Sequence, residues 1–234
     1  MIREPFSDSR MVMTNEKKGD RPAPICRAGV VLDLAFVISS GWHMFTLMSL
    51  TPSKMVELGM VAAHFSLPNP LTGKIVHRDD FSEKDALLVI FMCAHCPYVV
   101  HVKPELIRLG NDYRSRGVGI VGISANDPAA YPADAPSKLA KFSRELPFPL
   151  LFDETQEIAK AYDAACTPDC FLFDQERKLV YRGQLDDSRP GNGRPLTGND
   201  LRTALEAVLG GKPVPPDQKA SIGCNIKWKP GNEP

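Results

Sequence analysis

Two cysteines separated by an alanine and a histidine, Cys93-Ala94-His95-Cys96, are the residues of this chain best suited to chemistry. Such a pair either cycles between dithiol and disulfide or supplies half of a tetrahedral zinc site. Redox work needs a thiolate, and a helix N-terminus provides one by offering unpaired amide groups and partial positive charge. The run Leu87–Met92 is apolar throughout, long enough for a buried strand and too short for a helix, and it feeds directly into the pair. The segment after it reads as a helix reaching about Arg116 and ended by Gly117. In that setting Cys93 is expected to be exposed and to attack, and Cys96, one turn inside, to resolve the mixed disulfide. His95 is expected to modulate the Cys93 thiolate as a neighbouring donor. Pro97 is tolerated in a first turn, whereas Pro104 should kink the helix near Val100.

The zinc alternative has further thiols in Cys166 and Cys170. A strand running straight into the CxxC helix favours redox chemistry, so neither a metal nor a cofactor is expected. A second element sharpens the site. Thr167-Pro168 precedes the apolar stretch Cys170–Asp174, where a proline is either an ordinary strand start or a cis-proline. In the cis geometry Thr167 would present its backbone to an extended substrate segment beside the sulfurs, making Thr167 and Pro168 the expected substrate-binding residues.

The rest of the chain must hold these groups in place. Short strands are expected at Ala63–Leu67, Gly73–His77, Val118–Ser124 and Leu150–Phe152, and a hairpin at Cys170–Asp174 and Lys178–Arg182. Helices are expected at Asp134–Leu146, at Thr155–Tyr162 with Thr155 as its cap, and at Asn199–Leu209 before Gly210-Gly211. Strands alternating with helices, followed by a hairpin and a closing helix, indicate an α/β protein with a central mixed sheet and helices on both faces. The segment 1–50 lacks this patterning, and its apolar stretch Leu34–Leu50 has the length of a weak signal or anchor, interrupted by His43. We read residues 1–50 as an extension, of which 1–47 are expected to be dispensable for folding and activity, 51–212 as the span of the domain, and 213–234 as a Pro- and Gly-rich tail packing on it. Met44 and Met48 are alternative starts.

Bulk properties set limits. Twenty-eight basic and 28 acidic residues cancel, and no basic stripe with interleaved aromatics marks a nucleic-acid footprint. Six cysteines in 234 residues are too few for a disulfide scaffold. The expected location is the cytoplasm, with an exported form only if Leu34–Leu50 acts as a signal, and no membrane partner is expected.

From Thr51 onward the chain resembles the thioredoxin-like proteins of the alkyl hydroperoxide reductase/thiol-specific antioxidant and redoxin group. Within it, the chain is similar to a peroxiredoxin-like branch marked by CxHCPYV. The resemblance rests on Cys93–Val99, Leu151–Thr155, Ala164–Asp169, Leu172–Gly193 and Ile222–Pro234. It implies a thioredoxin-like fold, a catalytic Cys93–Cys96 pair and a cis bond at Pro168. Ala94, Cys170 and Pro104 depart from its usual pattern. The activity this suggests is thiol–disulfide exchange with protein or small-molecule disulfides and thiols, coupled to a reducing or oxidising redox partner.

Two alternatives remain, a thiol-dependent peroxidase and a non-catalytic binding module. Peroxiredoxins proper carry Pro-x-x-x-(Thr/Ser)-x-x-Cys, and counting back from Cys93 puts Ile90 and Ala86 at the hydroxyl and proline positions. That spacing leaves the peroxide-activating hydroxyl unsupplied. A module would often have lost one cysteine, and this chain keeps both. Cys166 and Cys170 read as passive core thiols, Cys26 as a bystander, and His101 as a satisfied surface histidine. Cys224 is either a resolving thiol or part of a tail folded back under Trp228. Asp186, Asp187 and Arg189 read as a loop ion network.

Overall fold

The computed structural model describes residues 50–234. The reading of residues 1–50, including all of Leu34–Leu50 but its last residue, therefore lies outside the described residues. Ten strands and four α-helices follow in chain order: β1 (Leu50–Pro52), β2 (Ser66–Pro68), β3 (Ile75–His77), β4 (Ala86–Phe91), α1 (Pro97–Tyr113), β5 (Val118–Ser124), α2 (Pro136–Ser143), β6 (Leu150–Phe152), α3 (Glu157–Ala161), β7 (Cys166–Thr167), β8 (Asp169–Phe173), β9 (Leu179–Gly183), α4 (Asn199–Leu209) and β10 (Ile222–Asn225).

The main sheet has the order β6-β5-β4-β8-β9, with β4 parallel to β5 and antiparallel to β8. All six residues of β4 are buried, because as the central strand it has both faces covered. Its alternate side chains enter two cores. Leu88 and Ile90 pack with Val99, Val102, Leu106 and Leu205 from α1 and α4. Leu87, Val89 and Phe91 pack with Tyr162, Phe171 and Phe173 on the other face. This is the thioredoxin-like α/β arrangement expected from the sequence. Gly117, at φ +82, turns the chain from α1 into β5, and a Cβ there would fall 2.0 Å from an Asp85 carboxylate oxygen.

Several elements differ from their expected bounds for local reasons. The helix expected at Asp134–Leu146 is split into a 3₁₀ turn, Pro132–Asp134, and α2. Ala135 precedes Pro136 and is driven to ψ 148, out of the helical region. α3 starts two residues after Thr155 because Gln156 adopts φ 65 and sends its side-chain amide to the Ala125 and Lys227 carbonyls. The first turn of α3 relies on Asp153, whose carboxylate accepts the Ala159 N–H at 2.9 Å. α1 runs through Pro104 without interruption.

The segment 213–234 is more than a packed tail. β10 pairs antiparallel with both β1 and β7, forming a second, three-stranded sheet in which Leu50 faces Cys224 and Cys224 faces Thr167. Leu50, placed in the extension by the sequence reading, thus belongs to a sheet. Trp228 is partly buried against the second core. Beneath these strands Arg182, wholly buried, pairs with Asp169 at 3.3 Å and donates to Ser53 Oγ at 2.9 Å and to the Asp163 carbonyl at 2.8 Å. Its guanidinium lies over the Phe171 ring, 4.4 Å from the centroid. Among the described residues no helix is long and apolar enough to cross a membrane.

Candidate active site

Cys93 leaves the end of β4 in a bend, and Cys96 is the N-cap residue of α1, with Pro97 as the first helical residue. The helix terminus therefore points at the pair as expected. The exposure does not match. Cys93 is 1% and Cys96 0% accessible, so the expectation of an exposed Cys93 is corrected: Thr167 and the 93–96 bend close over both sulfurs.

Thr167 joins the site through its side chain as well as its backbone. Its Oγ1 lies 3.6 Å from Cys93 Sγ, and its carbonyl accepts from Cys96 Sγ at 3.2 Å. The Thr167-Pro168 bond is cis. The backbone edge of Thr167 is not free for a substrate strand, which corrects the second expectation. It is paired with Cys224 of β10. The approach is close enough that a Cβ on Gly223 would fall 2.0 Å from the Thr167 carbonyl oxygen. Pro168 is buried and lines a shallow cleft with Tyr98, His101, Ser188 and Ile222.

A third sulfur completes the cluster. Cys224 Sγ lies 3.0 Å from Cys96 Sγ. Cys96 Sγ donates both to Cys224 Sγ and to the Thr167 carbonyl. The contact with Cys224 first, then the neighbouring Cys93, Thr167 and the Val99 N–H, act to hold Cys96 below the ordinary thiol range against the opposing effect of burial. Cys93 is pushed up, first by its hydrogen bond to Cys96, then by burial and by the Asp134 charge. Cys224 is pushed up for the same leading reason, its hydrogen bond to Cys96. The surroundings thus act to raise Cys93 and to lower Cys96.

His95 is held by a partner that sequence reasoning did not single out. Its Nδ1 lies 2.5 Å from Asp134 Oδ2 and 3.8 Å from Cys93 Sγ, and its ring stacks on Tyr131 at 5.4 Å between centroids. Asp134 also accepts the Ala94 N–H at 2.8 Å and the Asn126 amide at 2.7 Å. Burial works to raise the Asp134 carboxyl, and these hydrogen bonds with the His95 charge outweigh it, leaving it below its ordinary value. Asn126 in turn accepts the Lys227 N–H at 2.8 Å, linking the 93–96 bend to the segment after β10.

The four-cysteine zinc arrangement is not assembled. Cys170 faces Ile90 within the main sheet, and Cys166 directs its thiol to the Pro168 carbonyl at 3.7 Å. Burial pushes both thiols up. Among the described residues the convergent set of possible metal ligands is Cys93, His95 and Asp134, with donor atoms within 4.8 Å. Within that set His95 and Asp134 are in direct contact at 2.5 Å. His101 donates to or accepts from Ser188 Oγ at 2.8 Å, and Asp186 caps Ser188, Thr197 and Gly198 amides, so both are structural.

Residues 57–203 match the model of the Redoxin family. The thiol-disulfide oxidoreductase ResA of Bacillus thuringiensis subsp. konkukian (strain 97-27) is 28% identical over 136 residues, which is 56% of this chain and 71% of that protein. Among solved structures, a conserved protein from Geobacillus kaustophilus superposes with TM-score 0.77 and 53% identity, covering 79% of this chain and 98% of that one. A protein from Sinorhizobium meliloti 1021 gives TM-score 0.76 and 46% identity, covering 77% of this chain and all of that one, 100%. With a thioredoxin-like sheet, a CxxC at the mouth of its first long helix and a family match spanning most of the domain, this chain belongs to the Redoxin family.

Proposed function

We propose that this protein is a thiol–disulfide oxidoreductase that works through a Cys93–Cys96 dithiol/disulfide couple. The observation that carries the reading is the placement of both sulfurs at the α1 N-terminus against Thr167, whose bond to Pro168 is cis. The Cys93 thiolate bonds to one sulfur of a substrate disulfide, and the other substrate sulfur leaves as a thiolate. Cys96 then attacks Cys93, its proton goes to the departing substrate thiol, and the Cys93–Cys96 disulfide forms. The substrate is thereby reduced and the protein oxidised, and a dithiol partner reverses the protein's change. Protein disulfides and small-molecule disulfides both fit this chemistry. Because Cys93 is covered, exchange requires a local displacement around the 93–96 bend.

Acceleration of insulin reduction by dithiothreitol tests the reading. Wild-type protein should accelerate it, and Cys93→Ser and Cys96→Ser should each lose at least tenfold, corresponding to about 1.4 kcal/mol or more of transition-state stabilisation. A wild-type protein without effect would favour the binding-module alternative.

A further inference from the structure

Cys224 lies in the last strand, far from the CxxC in sequence, yet its sulfur touches Cys96. Three features show that the contact is built into the fold. Register fixes Cys224 opposite Thr167 on one side and opposite Leu50 on the other, so the residue sits in the middle of a three-stranded sheet. The neighbouring residue is Gly223, whose missing Cβ allows the strand to come against the Thr167 carbonyl. Beyond the strand, the Lys227 N–H bonds to Asn126, and the Lys227 carbonyl accepts from Asp127 N–H at 2.8 Å and from the Gln156 amide at 3.0 Å. An extended segment pairing beside Pro168 and carrying a sulfur to the redox pair has the form of a tethered substrate.

We propose that Cys224 is a third redox-active thiol, which attacks the Cys93–Cys96 disulfide at the Cys96 sulfur. This rests on the oxidoreductase reading above. The Cys224 thiolate forms a bond to Cys96 Sγ, the Cys93–Cys96 bond breaks, and Cys93 leaves as the thiolate, with the proton shed by Cys224 available to it. Two electrons move within the protein and none leaves it, so the oxidation level is unchanged. The sulfurs, 3.0 Å apart, need to close by about 1 Å to reach a bonded distance of ~2.05 Å. Exchange at Cys96 leaves Cys93 reduced beside a Cys96–Cys224 disulfide, and an external dithiol then reduces the latter. A chain with only Cys93 and Cys96 has no such second oxidised form.

Disulfide mapping after treatment with diamide tests this. In Cys93→Ser, oxidation should consume Cys96 and Cys224 together and yield a linked peptide joining the segments that carry them. In oxidised wild-type protein, quenched with acid and alkylated, both the 93–96 and 96–224 linkages should be found, and Cys224→Ser should retain the first alone. If Cys224 is alkylated as a free thiol in oxidised Cys93→Ser and in oxidised wild type while the 93–96 linkage forms, the relay is overturned and the oxidoreductase reading stands. If no 93–96 linkage forms in wild type or Cys224→Ser, that underlying reading fails instead. Cys224→Ala serves where the serine variant does not fold.

Discussion

His95 Nδ1 lies 2.5 Å from the Asp134 carboxylate and 3.8 Å from the Cys93 sulfur, so the imidazole is committed to the acid before it can serve the thiol. The two groups form one unit, stacked on Tyr131 and backed by Asn126. Asp134→Asn should free the ring and remove the negative charge that raises Cys93. Titration of thiolate ultraviolet absorbance in this variant should show Cys93 ionising at lower pH than in wild type. An unchanged profile would mean that the carboxylate charge is screened from the sulfur.

The same substitution carries a stability consequence with a defined sign. Asp134 has a lowered value in the folded protein, so its contribution is present above the ordinary carboxylate range, roughly pH 4, and is lost as pH falls through the folded value. Urea denaturation should find Asp134→Asn less stable than wild type by about 1–3 kcal/mol at neutral pH, with the gap narrowing below about pH 4. A gap independent of pH would assign the loss to packing.

Thr167 is expected to matter through its hydroxyl. Thr167→Val keeps the shape and removes the group 3.6 Å from Cys93. Because that contact lowers the Cys93 value, the variant should ionise Cys93 at higher pH and reduce insulin more slowly, by about threefold to tenfold for the loss of one hydrogen bond of ~1 kcal/mol. Equal rates would show that the hydroxyl faces elsewhere during exchange.

The buried ion pair under the site sets the stability of its floor. Asp169→Ala would leave the Arg182 guanidinium unpaired with 0% exposure, which costs about 3–5 kcal/mol. A substantially lower melting temperature is expected, together with loosened pairing of β1, since Ser53 joins the pair through its hydroxyl. A loss within experimental error would mean that water reaches Arg182 in the variant.

Peroxide turnover is expected to be slow. Ile90 and Ala86, at the positions where a peroxidase motif would place its hydroxyl and proline, are buried in β4 and face the cores. Stopped-flow oxidation by hydrogen peroxide should run far below the diffusional ceiling of roughly 10⁸ M⁻¹s⁻¹, and a rate near it would overturn this view.

Features with a local signature were legible in the sequence. The six apolar residues of β4, the CxxC following them, α1 and the proline before β8 each announce themselves within a short window. Asp134 does not, because its partners Ala94 and His95 lie 40 and 39 residues away. Its sequence context, a Pro-rich entry, marked it only as the start of an expected helix. The burial of Cys93 was equally hidden, since the covering Thr167 comes 74 residues later. Cys224 was visible as a cysteine in a tail of prolines and glycines, but the strand around it forms only because β1 and β7 flank it. Non-local pairing of this kind leaves little trace in the pattern of a short segment.

The central claim is that Cys93 attacks and Cys96 resolves, and trapping tests it most directly. Reduced Cys96→Ser incubated with oxidised insulin should accumulate a mixed disulfide that dithiothreitol releases and that peptide mapping places on Cys93. Cys93→Ser should accumulate none. An adduct formed by Cys93→Ser and absent from Cys96→Ser would contradict the assignment, making the Cys96 thiolate the nucleophile toward substrate.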